Sequence, residues 1–222
     1  MPSPANHRVV TVHIALRNPA GMNVTDLSDR IDCSAFLTRH SDIVALMVLE
    51  HQADAHNLLT KASFDARQAL HLEAAINRDM KLPPTYRWNS TDVRIKSAGD
   101  ELVKYLFFCE EAPLTGKVQG TSTFAADFQK RGPRDGKGRS LRDFDLGRRL
   151  FRYPLSYLVY SESFDALPGR MREYVLGRMW EVLTGKEAGK EFAHLSPEDR
   201  KAIREILVAT KPNLPAYWRA GG

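Results

Sequence analysis

Cysteine is nearly missing from this chain: Cys33 and Cys109 are the only two in 222 residues. That excludes a disulfide framework, a CxxC pair and the CxxCH motif that attaches a c-type haem. The two thiols read as free and buried, as lone cysteines usually are. A single disulfide is the alternative, and it implies an oxidising compartment. Long apolar runs are missing too, since nothing approaches the roughly 18 to 20 apolar residues that span a bilayer. The opening residues Met1-Pro-Ser-Pro-Ala-Asn-His-Arg8 lack the charged-then-apolar layout of a signal peptide, so a soluble chain is expected. Among catalytic motifs there is no Gly-x-Ser-x-Gly elbow, no Ser-x-x-Lys and no His-Glu-x-x-His. The glycines from Gly132 to Gly138 fall one residue short of P-loop spacing, and Gly138 stands where Ser or Thr is required.

What is present is enough apolar material, 43% of residues against 27% charged, to build a core. Val9–Leu16 (VVTVHIAL) is short and rich in β-branched residues, which predicts a strand. Asn18-Pro19-Ala20-Gly21 breaks the chain, and a short polar, helical piece is expected from Thr25 to near His40.

Helical signals dominate the rest. Ser41 reads as an N-cap, and Asp42–Leu82 contains neither Gly nor Pro. A single helix of that length is about 60 Å long, so the reading is a helical hairpin over about 41–82, turning near Lys61–Asp65 and stopped by Pro83-Pro84. Ser90-Thr91-Asp92 starts another helix, with Val93, Ala98, Leu102, Tyr105, Leu106 and Cys109 on its apolar face up to Pro113. Gly116–Ser140 reads as a long, Gly-rich basic loop. Ser140-Leu-Arg-Asp143 has capping-box form and predicts a helix carrying Phe144, Leu150 and Phe151 as far as Tyr153-Pro154. Pro168 and Gly185 bracket a helix whose buried face is Met171, Val175, Met179 and Leu183. Ser196-Pro-Glu-Asp199 opens a last helix bearing Ile203, Ile206 and Leu207, and Tyr217 and Trp218 are expected to dock the tail. The fold class is therefore mainly α. It reads as one domain over 1–222, whose natural sub-parts are 8–113 and 140–218 joined by the loop 114–139.

Candidate chemistry concentrates in Ala45–Thr60, which sets Glu50, His51, Asp54, His56 and Asn57 inside an otherwise apolar helix. Polar groups there need partners. His51 and His56, five residues apart, diverge by about 140° and cannot share one ion. The paired Glu-x-x-His pattern of di-metal bundles fails at Glu50 and Glu73 and is matched only by Glu191-Phe-Ala-His194. A metal could still be gathered across the hairpin by Glu50, His51, Asp54, His56, His71 and Glu73, or a non-covalent haem could take His51 or His56 axially. The competing reading is a hydrogen-bonded network that sets helix packing.

Net charge is +5, and it is local: Lys130–Arg152 holds nine Lys or Arg against Asp135, Asp143 and Asp145, a net of +6, leaving −1 elsewhere. Lys130, Arg131, Arg134, Lys137, Arg139 and Arg142, with Phe144, Phe151 and Tyr153 nearby, could hold phosphates or a nucleic-acid strand. The interspersed aspartates and the Gly132-Pro133 turn point instead to internal salt bridges.

Three stretches carry a resemblance: Ser41–Thr60 (SDIVALMVLEHQADAHNLLT), Arg131–Leu146 (RGPRDGKGRSLRDFDL), and Leu150–Pro168 (LFRYPLSYLVYSESFDALP) with Trp180–Gly185. Over about residues 8–218 the chain resembles uncharacterised bacterial proteins associated with c-type cytochromes. The resemblance implies an extracytoplasmic, redox-associated role with a c-type cytochrome or other redox protein as partner and, if the chain is a fragment of a longer exported product, a periplasmic location; otherwise the expectation is cytoplasmic. The expected function is thus a non-catalytic helical module beside an electron-transfer protein. The alternatives are a metal- or b-type haem-binding helical protein and a nucleic-acid or polyanion binder.

Overall fold

A computed structural model describes residues 28–36, 42–187 and 189–219. Among them the chain is mainly helical, and no helix is long and apolar enough to cross a membrane. The strand expected at Val9–Leu16 lies outside the described residues. Within Thr25–His40, residues 28–36 form turns rather than helix: the Ser34 amide donates to the Asp32 carboxylate (2.9 Å), and the Phe36 amide to the Cys33 carbonyl (3.1 Å). The described α-helices are α1 (Ile43–Asp79), α2 (Asn89–Leu106), α3 (Phe124–Lys130), α4 (Glu162–Asp165), α5 (Gly169–Thr184) and α6 (Pro197–Thr210). Two compact units divide the chain, one from 1–50, 110–132 and 142–152, the other from 51–109, 133–141 and 153–222.

The expected hairpin over 41–82 is instead one continuous helix of 37 residues, about 56 Å long. No Gly or Pro interrupts Lys61–Asp65, Lys61 and Asp65 form an i,i+4 pair at 4.0 Å, and one stripe is buried from end to end. That stripe runs Val44, Val48, His51, Ala55, Leu59, Ala62, Ala66, Ala69, Glu73 and Asn77. Its three- and four-residue steps keep it on one side for nine turns, so a turn would break burial that the straight helix retains. Asp42 caps the helix, accepting from the amides of Val44 (2.9 Å) and Ala45 (3.1 Å); Ser41, expected in that role, lies outside the described residues. At the other end Lys81 turns left-handed (φ 55°), and the Leu82 amide reaches back to the Asn77 carbonyl at 2.8 Å.

In the second unit α2 packs on α5, and α5 on α6. The buried face of α2 is Thr91, Ile95, Ala98, Gly99, Leu102, Val103 and Leu106, whereas Val93, expected inside, is exposed. A Cβ at Gly99 would sit 2.5 Å from the Tyr174 ring, so glycine there sets how closely α2 and α5 approach. The helix ends at Leu106 and not near Pro113, because Phe108 turns left-handed (φ 57°) and swings Phe107 and Phe108 into the core. Expectations hold for α5 and α6. Met171, Val175, Met179 and Leu183 are buried, Gly185 closes α5 at φ 75°, and the Ser196 hydroxyl accepts from the Asp199 amide at 3.0 Å. Ile203, Ile206 and Leu207 are buried, and Trp218 docks the tail with its ring centroid 5.3 Å from that of Trp180.

The first unit holds two departures. Gly116–Ser140 is not one exposed loop: α3 forms inside it and buries Phe128. The helix predicted after Ser140 does not form. Phe144 and Phe151 pair across an antiparallel bridge, with the Arg152 amide bonded to the Asp143 carbonyl (2.8 Å) and the Asp145 amide to the Leu150 carbonyl (3.1 Å). The Asp145 carboxylate accepts from the amides of Gly147 and Arg148, both 3.0 Å, and this local side-chain turn outcompetes a helical start. The extended arms stack Phe144 on Phe151 (5.4 Å) and on Phe128 (5.2 Å).

Candidate functional site

His51 is the most enclosed polar residue of α1, at 1% exposure. Its Nε2 lies 2.7 Å from the hydroxyl of Ser156, which is wholly buried. The same hydroxyl accepts from the Leu158 amide (3.2 Å) and so starts the 3₁₀ turn Tyr157–Tyr160, while the Ser156 amide donates to the Leu106 carbonyl (2.8 Å). Aromatic rings wall the imidazole: Phe108 at 4.7 Å, Tyr105 at 5.5 Å and nearly parallel, Tyr157 at 6.1 Å. Tyr105 donates its hydroxyl to the His51 carbonyl (3.2 Å), and Tyr157 to Gln52 Oε1 (3.1 Å). One histidine therefore joins α1, the end of α2 and the segment after Pro154. The Ser–His distance suits a nucleophile and its base, but both side chains are sealed in the core, where no substrate reaches the hydroxyl.

The other residues considered for a metal are dispersed. Glu50, Asp54 and His56 are half-buried on α1, and His71 is exposed. Glu73 is buried and bonded to Arg170 Nη1 (2.6 Å) and to the Trp88 amide (3.0 Å). Arg170 also pairs with Asp92. In a hairpin His71 and Glu73 would have faced His51 and Asp54; along a straight helix His51 and Glu73 stand about 33 Å apart. Among the described residues no group of three or more His, Cys, Asp or Glu is placed to hold a metal ion. The Glu191/His194 match is spent on backbone and lysine contacts, His194 Nε2 donating to the Phe107 carbonyl (2.7 Å) and Glu191 pairing with Lys104 (3.4 Å). Cys33 and Cys109, expected to be buried, are both half-buried thiols.

The basic segment is largely neutralised from within. Arg139 bridges Asp135 and Glu205, both at 2.6 Å, and Lys137 reaches Glu205 at 2.8 Å. Hydrogen bonds from Lys137 and then Arg139 hold the Glu205 carboxyl down at about 2. Arg134 donates to the Gly138 carbonyl (2.6 Å), Lys130 pairs with Asp127 (3.5 Å), and the Arg142 guanidinium lies 4.6 Å from the Phe128 ring centre. Arg131 is exposed. Lys130, Arg131 and Arg142 belong to one unit and Arg134, Lys137 and Arg139 to the other.

Sequence reasoning picked out His51 and Glu73 but not Ser156 and Arg170, which lie 105 and 97 positions from them. No local signal marks such partners. Nor does spacing point to the open depression of about 230 Å³ lined by Lys61, Asp65, Gln68, Arg94, Ser97 and Ala98. It falls below the roughly 300 to 1,000 Å³ of typical small-molecule pockets. No protein-family model, curated protein or solved structure matches the chain.

Proposed function

We propose that this chain is a non-catalytic helical module that acts beside a bacterial electron-transfer protein. One observation carries the first half: His51 and Ser156, the pair with catalytic geometry, are sealed among Tyr105, Phe108 and Tyr157, where they fix packing. Glu73 and the Arg139–Glu205 cluster are likewise taken up in internal ion pairs. A redox partner is favoured by the sequence resemblance at Ser41–Thr60, Arg131–Leu146 and Leu150–Pro168. The test is titration of a purified bacterial c-type cytochrome with the whole chain, followed by calorimetry and the haem spectrum. Saturable binding without turnover is expected, together with a purified chain that carries no Soret band and no stoichiometric metal. Absence of binding up to about 100 μM, a Kd weaker than roughly −5.5 kcal/mol, would remove the redox partner. A Soret band or bound metal in the isolated chain would make it a cofactor protein in its own right.

A further inference from the structure

The side of α1 opposite its buried stripe carries Ala53, Asn57, Thr60, Phe64, Gln68, His71 and Ala75. The steps between them are 4, 3, 4, 4, 3 and 4, so they form one line along the helix. All but Ala75, which is half-buried, are exposed, and Phe64 reaches 62%. In a chain with 27% charged residues, none of the seven is charged. A helix face turned to water ordinarily carries charge, so a line of seven uncharged positions with an aromatic at its centre calls for a partner surface.

The pattern specifies which partner. The steps read the same in both directions about Phe64, so a second copy running antiparallel sets Phe64 against itself, Thr60 against Gln68, Asn57 against His71 and Ala53 against Ala75. Aromatic meets aromatic, small meets small, and the two remaining pairs each match hydrogen-bonding side chains. A two-fold contact requires this self-complementarity. We infer that the chain forms an antiparallel homodimer through the Ala53–Ala75 face of α1. That face is about 33 Å long and 10 Å wide, and two of them together cover about 660 Å² in all, below the roughly 1,200 Å² of stable interfaces and in the range of transient ones. The dimer is therefore weak and concentration-dependent. It uses no feature of the proposed redox role.

Sedimentation equilibrium of the whole chain tests it without any partner present. A reversible monomer–dimer equilibrium with a Kd of roughly 10 to 100 μM is expected. Phe64→Glu, which puts two carboxylates at the two-fold axis, should weaken dimerisation at least about tenfold and leave the melting temperature of the monomer unchanged, since the side chain is exposed. Asn57→Glu should weaken it as well, and adding His71→Lys should restore it, because the new charges meet only in the antiparallel register. A chain that stays monomeric across this range, or a dimer that Phe64→Glu leaves intact, would overturn the inference. Failure of the double variant to recover would overturn the antiparallel pairing.

Discussion

At the scale of single residues, the question is what a polar group inside a helix does there. His51 closes a gap between three aromatic rings and takes one hydrogen bond from or to Ser156. Removing the imidazole leaves both a void and an altered hydroxyl. His51→Ala should therefore cost about 2–4 kcal/mol of stability, measured as the urea midpoint. Ser156→Ala should cost about 1–3 kcal/mol, because it strips both the imidazole nitrogen and the Leu158 amide of a partner. If both variants unfold with the parent midpoint, the packing role assigned to the pair is wrong. Burial of His51 was foreseeable from its place in an apolar run; its partner was not, because Ser156 lies beyond two further helices in the chain.

At the scale of elements, two competitions decided the outcome. In α1, burial of a stripe along nine turns overrode the expectation that a helix of this length must fold back. Ser63→Pro separates the two arrangements: it should destabilise the continuous helix by at least about 3 kcal/mol, whereas a turn at Lys61–Asp65 would tolerate it. Circular dichroism with thermal melting reads the difference. In Ser140–Tyr153 the capping-box pattern was present, yet Asp145 turned its carboxylate onto the amides of Gly147 and Arg148, and the aromatics stacked from extended arms. Where both cap and breaker agreed, as at Pro168 with Gly185 and at Ser196, the helices formed where spacing put them.

At the scale of the molecule, α6 is tied to the segment 133–141 by charge. Glu205 accepts from Lys137 and Arg139, which hold its carboxyl near 2, well below its ordinary value of 4.5. A depressed folded pKa stabilises above the unfolded value, so this contribution is complete above about pH 4.5 and lost as pH falls through about 2. Lys137 is 66% exposed, so solvent screening keeps the contribution to about 1 kcal/mol. Glu205→Gln should be less stable than the parent at pH 6, with the gap closing by about pH 2. A gap that stays constant across that range would show that the carboxylate does not supply it. The C-terminal end of α6 is held by Lys211, 4% exposed, whose ammonium donates to the Val159 carbonyl (2.7 Å) and to Asp165 (2.8 Å).

Periodicity and capping chemistry act over three or four residues, and so the sequence by itself determined the helical class, the start of α6, the bracket around α5 and their buried faces. Tertiary structure decided everything that depends on residues distant in the chain. It set whether α1 turned or ran straight, and thereby whether His71 and Glu73 could face His51. It also matched Ser156 to His51, Arg170 to Glu73 and Glu205 to the basic segment. Each of those pairings trades hydration for a partner 66 to 105 positions away, a choice that only the assembled core can make.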